Sequence, residues 1–292
     1  MSVGNPPPGP HKFSGLWLLI AALACFGFLD AGTQAVGPFA PVALIVWTRY
    51  LTQFLGAVLM QGRLHGLRAM WRCRHPGLQL WRGVLLAVLN GLAVVSLMYV
   101  PVGDFTAIIM LTPAALTLVA VMMHGERISP LRWALIAGGF AGALMVLRPG
   151  GDDFEWTLLL PVVTMLVGAV WQVVSNKLAT MDDPATTNLW TGLIGVLLCS
   201  AILPWHWQAL DAGVWWQLGG LSLLCALGHL LVIVAHSRVA LSQMAPFLYF
   251  QIGFAVLAGW IMLGQRPDNW SWAGIAVIAF CGVWGSRAAQ AR

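Results

Sequence analysis

The sequence predicts an all-α integral membrane protein of ten transmembrane helices, arranged as two inverted five-helix repeats. Three observations predict it. Of 292 residues, 59% are apolar or aromatic and only 9% are charged, with a mean hydropathy of +0.81. Apolar runs of about 17–23 residues recur along the whole chain, the length a bilayer-crossing helix needs. The chain also matches itself at an offset of 139 residues, Trp17 falling on Trp156 and Trp133 on Trp272.

The composition excludes several classes outright. A water-soluble domain carries about 25% charged residues, and disordered chains are poor in apolar ones. Sixteen Trp suit a surface that meets lipid and interface. Ten spans leave no stretch for a soluble catalytic domain. The five cysteines (Cys25, Cys73, Cys199, Cys225 and Cys281) form no CxxC, so neither a metal site nor a disulfide framework is indicated, and no cofactor is expected. The first apolar run follows a Pro-rich tail, Asn5 to Pro10, without a small-residue cleavage site. It reads as a retained helix.

In order, the spans fall at 15–36, 41–61, 80–100, 104–124, 131–148, 156–178, 186–204, 214–237, 242–263 and 270–287. The break Pro101-Val102-Gly103 suits a turn, since Pro disfavours helix continuation and Gly permits positive φ. The organisation is then a cytoplasmic tail (1–14), a first repeat (15–148), an inverted second repeat (149–287) and a short cytoplasmic tail (288–292). With the N-terminus inside, twelve of the fifteen basic residues are cytoplasmic; only Arg49, Arg148 and Arg266 lie opposite. That bias places both termini in the cytoplasm and the protein in the inner membrane. The Arg-rich stretch from Arg63 to Arg82 reads as a juxtamembrane loop near anionic lipid, with no nucleic-acid partner. Trp205, Trp207, Trp215 and Trp216 form an aromatic belt. The Ala134-Gly138-Gly142 row is a close-packing face, and a monomer is expected.

The repeat carries the function. Besides the tryptophans, Met123 falls on Met262, Gly125 on Gly264, Arg127 on Arg266 and Arg148 on Arg287; seven of the fifteen positions 123–137 match. Five spans per copy is an odd number, so the second copy enters the membrane upside down. Inverted repeats around a midplane site are the architecture of secondary transporters, because one fold can then open to either side.

Gly-Glu-Arg at 125–127 and Gly-Gln-Arg at 264–266 each precede a Trp/Gly/Ala-rich helix, and Pro113 lies thirteen residues before Glu126. With its two five-helix halves, the chain resembles the drug/metabolite transporter superfamily of the EamA type over residues 16–287. Within it, the chain looks most like YddG-type exporters of aromatic and other neutral amino acids. The resemblance implies a helical basket with a central cavity lined by the first, third, fourth, sixth, eighth and ninth helices. The chain departs from that pattern at Ile252, which stands where the first half has Pro113, and this makes the expected hinge asymmetric.

A polar side chain in the hydrocarbon region is costly unless it faces protein or water. Asn90 and His229, at the centres of the third and eighth spans, are 139 residues apart and so occupy equivalent depths. They are the leading cavity-lining pair; an interhelical hydrogen bond is the competing explanation. Trp171 and Gln172 on the sixth span and Tyr249 and Gln251 on the ninth join them as substrate-binding candidates, while Asn176 marks the sixth span's cytoplasmic end. Tyr and Trp offer an apolar body with a polar tip. Tyr99 ends the third span near the outer mouth, and Pro113 with Thr112 is a hinge midway along the fourth.

No ATP motor is present: neither Lys12 nor Lys177 sits in a P-loop. Asp30 and Asp104 lie near outer helix ends, so facilitated diffusion or loose exchange is expected over tight proton coupling, although His229 and His236 are of the side-chain type whose unperturbed range lies nearest neutrality. The ten acids lack HxxxD or DxxD spacing, which argues against an enzyme. The expected function is export of a small-molecule substrate, aromatic and other neutral amino acids first, by alternating access. The alternative is a multidrug or organic-cation efflux transporter of the same superfamily, which would want a buried carboxylate.

Overall fold

A computed structural model describes residues 11–65, 73–124, 129–147, 156–179, 181–182, 184–236, 238 and 245–290. The Pro-rich tail, Arg68, Trp71, Arg72, the Gly125-Glu126-Arg127 motif and Arg148 lie outside them, as do the side chains of Asn176 and His236. The described residues form α-helices and short 3₁₀ turns, with no strand among them.

In chain order the α-helices are α1 (His11–Val36), α2 (Val42–His65), α3 (Pro76–Tyr99), α4 (Val102–Ile109), α5 (Thr112–His124), α6 (Pro130–Leu147), α7 (Leu160–Ala179), α8 (Pro184–Ile202), α9 (Ala212–His236), α10 (Phe250–Leu263) and α11 (Asn269–Gln290). Proline opens α3, α6 and α8, where its missing N–H is one of the unpaired donors of a helix start in any case. Helix α10 stops at Gly264, whose φ of +66° turns the chain left-handed; Gly264 N–H reaches Trp260 O (3.0 Å) and Gln265 N–H reaches Gly259 O (3.1 Å).

Six segments are long and apolar enough to cross a membrane: Gly15–Val36, Val42–Leu59, Pro76–Tyr99, Trp156–Ser175, Thr186–Trp205 and Ala212–Val232. Large apolar side chains such as Leu166, Leu197, Ile261 and Phe280 stand on the outside, as a lipid-facing surface requires.

Two expected spans are built differently. The stretch 104–124 is not one helix with Pro113 midway. Helix α4 ends at Ile109, Leu111 N–H bonds Ile108 O (3.0 Å), and α5 restarts at Thr112. Pro113 thus occupies the first turn of α5, where it interrupts no hydrogen bond. Thr112 Oγ1 caps back onto the Ile109 carbonyl (2.6 Å). The stretch 242–263 enters through a 3₁₀ turn, Ala245–Tyr249, before α10, so the second half changes geometry at the matching place without a proline.

Helix α1 packs between α9 and α10, α2 against α8, α3 against α7 and α8, and α6 against α11. The α2–α8 pair is antiparallel: Trp47 Nε1 donates to Ser200 Oγ (2.8 Å) and Gln53 Nε2 to Asn188 Oδ1 (2.9 Å). The α6–α11 pair is antiparallel too, Gly138 facing Cys281 and Gly142 facing Gly274 and Ile278. A Cβ at Gly142 would sit 2.9 Å from the Gly274 carbonyl oxygen, so Gly138 and Gly142 of the small-residue row pack within the chain, while Ala134 is exposed.

Candidate functional site

Charged, polar and aromatic side chains from α1, α2, α3, α7, α8 and α9 come together between the helices. Adjacent residues on α2 begin it: Arg49 and Tyr50 point to different neighbours. The Tyr50 ring lies on Gly195 of α8, where any Cβ would overlap it. Its hydroxyl accepts a hydrogen bond from Asn90 Nδ2 (2.8 Å), which also donates to its own helix at Leu86 O (3.1 Å). Asn90 therefore keeps its side-chain carbonyl oxygen for another partner.

Two turns earlier on α3, the Arg82 side chain enters the bundle instead of standing with the cytoplasmic charges as expected. Its Nε donates to Ser175 Oγ (2.9 Å), Nη1 bonds Thr191 Oγ1, and the guanidinium lies 5.2 Å over the Trp171 ring. That arrangement holds a cation against an aromatic face. The Trp171 indole N–H is buried and has no hydrogen-bond partner among the described residues.

On α9, His229 Nδ1 donates to Cys225 O (2.8 Å), which fixes its proton there and leaves Nε2 as an acceptor. The imidazole meets Phe26 of α1 edge-on, 5.1 Å between ring centres. Arg49 bonds Thr33 Oγ1 through Nη2, and its Nε is buried without a partner. Asp30, one helical turn from both Phe26 and Thr33, lies on the same face of α1. Arg49 acts electrostatically on Asp30, Cys225 and His229 alike.

The structure thus brings Asn90 and Trp171, both half-buried, to polar or aromatic partners between the helices, and sets His229 against Phe26 on an exposed part of α9. Gln172 is half-buried on α7 beside Trp171, and Gln251 is half-buried on α10. Tyr249 is placed differently: its ring is pressed onto Gly282 of α11, within the apolar cluster of Ile252, Ile275 and Ile278. That is packing between α10 and α11, apart from the Asn90 group. Tyr99 is 56% exposed at the end of α3. Asp30, Arg49, Tyr50 and Arg82 were missed as site residues. For Arg49 and Arg82 the available signal was a positive charge inside or at the edge of an apolar run, which positive-inside counting assigned to a membrane face; Tyr50 offered no charge signal.

Two further polar clusters tie helix ends together. Gln265 Nε2 donates to Gln34 Oε1 (3.0 Å), Val102 N–H donates to Gln265 Oε1 (3.1 Å), and Gln34 Nε2 donates to Val100 O (3.2 Å). These bonds join the end of α1, the α3–α4 junction and the loop after α10. The buried carboxylate of Asp182, between α7 and α8, meets the start of α3. It receives Gln79 Nε2 (3.0 Å), Arg74 N–H (3.3 Å) and Cys73 Sγ (3.5 Å), with His75 Nδ1 at 3.5 Å. Burial pushes the Asp182 carboxyl up, but these donors outweigh it and hold it below its ordinary value.

The structure is a multi-helix apolar bundle with charged and polar side chains held between its helices, and the comparisons with known proteins give its class. Residues 155–287 match the EamA-like transporter family. The chain is 30% identical over 274 residues to a riboflavin transporter of Rhizobium johnstonii, covering 93% of this chain and 90% of that protein. It is 28% identical to a riboflavin transporter of Vibrio cholerae, covering 92% and 91%. A crystal structure 17% identical in sequence shares the fold at a TM-score of 0.64 over 96% of this chain and 97% of that one. The chain belongs to the EamA-like family of the drug/metabolite transporter superfamily. It is a small-metabolite transporter and not an enzyme.

Proposed function

We propose that this protein carries a flat heteroaromatic metabolite of the riboflavin class across the membrane by alternating access. The observation that carries the reading is the 30% identity with a riboflavin transporter over nearly the full length of both chains. The site chemistry agrees with it. A tricyclic ring with an imide edge can stack beside Trp171 and Phe26, and can hydrogen-bond the free oxygen of Asn90, the Trp171 N–H and His229 Nε2.

Ten spans in two inverted repeats, 15–148 and 149–287, supply the motion. Helices matched by the 139-residue offset, α2 with α8 and α6 with α11, pack antiparallel; two copies entering in the same sense would run parallel. The packing also pairs across the offset, α1 on α9 answering α7 on α3. In this reading the protein is a monomer of the inner membrane with both termini cytoplasmic, as the placement of its basic residues supports.

The expected aromatic and neutral amino acids share the apolar-plus-amide chemistry and belong in the same panel. Organic-cation efflux gains one observation, the carboxylate of Asp30 inside the bundle, yet Arg49 beside it opposes a cation. Counterflow of labelled riboflavin into proteoliposomes loaded with unlabelled riboflavin tests the proposal. Saturable flux above empty vesicles supports it. Flux of Phe or of a quaternary ammonium ion with none of riboflavin overturns it.

A further inference from the structure

We propose that transport is coupled to protons through Asp30, which takes up a proton on one side of the membrane and releases it on the other. The inference rests on the transport reading above and adds the driving ion.

The position of Asp30 follows from register. Helices α1 and α9 are antiparallel: Phe26 meets His229, and a Cβ at Gly32 would overlap Leu221. Interpolating between these contacts sets Asp30 level with Leu224 and Cys225, about one turn from His229. Thr33, on the same face, binds Arg49 of α2. Asp30 therefore faces the interior, among the groups of the candidate site, though only six residues from the end of α1.

Charge inside an apolar bundle must be compensated or removed by protonation. Arg49 supplies compensation through space, but its terminal nitrogen is engaged by Thr33. The half-buried Asp30 carboxylate has neither a hydrogen bond nor a contact ion pair among the described residues. A carboxylate left open but electrostatically balanced can gain and lose a proton without dismantling a network. The titratable and charged groups acting on it are Arg49 from α2 and Cys225 from α9, with His229 a turn further along α9, while Asp104 of α4, which also packs on α1, accepts a hydrogen bond from Ser271 of α11. On the other side α10 approaches α1 with Phe254 and Ala255, and α3 meets it at Gln34, nearer its end.

The cycle balances. The carboxylate binds H⁺ from water on the side to which the site is open, the bundle changes face, and the acid returns H⁺ to water on the other side. Arg49 stays charged throughout.

The test uses proteoliposomes holding a trapped pH dye, with riboflavin as the probe. For the wild-type protein an imposed pH gradient should drive riboflavin several-fold past equilibrium, with dye-reported proton movement. Asp30→Asn should exchange riboflavin in counterflow more slowly, accumulate none against its gradient and move no protons. Asp30→Glu should restore both. Wild-type riboflavin flux that ignores the pH gradient, or an Asp30→Asn protein that still follows it, overturns the proposal and leaves the transport reading standing. Absence of riboflavin counterflow overturns the substrate instead, and the dye measurement then runs on whichever panel member is carried. Should Asp30→Asn not fold, the wild-type gradient response decides.

Discussion

The side-chain amide of Gln265 is bonded to that of Gln34 at 3.0 Å, and through it the loop after α10 is tied to the end of α1. Gln265 is the middle residue of the repeated Gly-Gln-Arg motif. The left-handed turn at Gly264 aims it back across Gly259, toward Val102. Removing its two bonds costs about 1–3 kcal/mol at about 0.5–1.5 kcal/mol each. Gln265→Leu should therefore shift the bundle toward states in which these ends separate. Spin labels at Phe39→Cys and Trp270→Cys, in a background without native cysteines, should report a longer and broader distance distribution; an unchanged one contradicts the latch.

Asn90 and Tyr50 form a second checkable pair. Asn90→Leu should lower riboflavin transport about ten-fold while leaving expression and thermal unfolding near wild type, and His229→Leu should behave alike. Gly195→Ala adds a Cβ under the Tyr50 ring and should imitate Asn90→Leu without touching either polar group. Loss of folded protein in all three, rather than loss of flux, points to packing alone.

Pro113 lies where α4 ends and α5 begins, so it shapes a joint instead of breaking a helix. Pro113→Ala lets the two segments compete for one continuous helix. Maximal flux should fall more than half-saturation changes, measured over a riboflavin concentration series. A pure affinity change contradicts a moving joint.

Asp182 gives a pH prediction away from the membrane interior. Its carboxyl is held below the ordinary 3.8, so its stabilisation is complete above the ordinary carboxylate range and is lost as pH falls through the lowered value. Asp182→Asn should unfold about 1–3 kcal/mol more easily at pH 7, the scale of hydrogen bonds to a charged group. The gap to wild type should narrow as pH falls below about 4 and close once it passes the lowered Asp182 value, where both side chains are neutral. Thermal unfolding in detergent across that range measures it, and a gap independent of pH contradicts the assignment.

The sequence was informative wherever hydropathy and periodicity act over many residues. Helix α6 spans 130–147 against an expected 131–148, and α3 and α9 contain the expected central Asn90 and His229. It was silent where one side chain chooses between neighbours. Arg82 and Arg49 each sit close to a helix start, so charge counting put them at a membrane face; the partners that draw them inward, Ser175, Thr191 and Thr33, are distant in sequence or unremarkable in type. Tyr249 failed for the opposite reason. Its aromatic neighbours suggested a binding wall, whereas the missing side chain at Gly282 gives it a packing slot. Asp30 does lie near the end of α1, as expected; what depth counted along one helix leaves out is the side chains the next helices place opposite.

Binding at the Asn90 cluster is tested most directly by titrating purified protein into riboflavin and following the flavin's own fluorescence. Stacking near Trp171 and Phe26 should quench it saturably, and Asn90→Leu should displace the curve to higher protein concentration by about ten-fold. Quenching that never saturates, or identical curves for the two proteins, contradicts a riboflavin-class ligand held there.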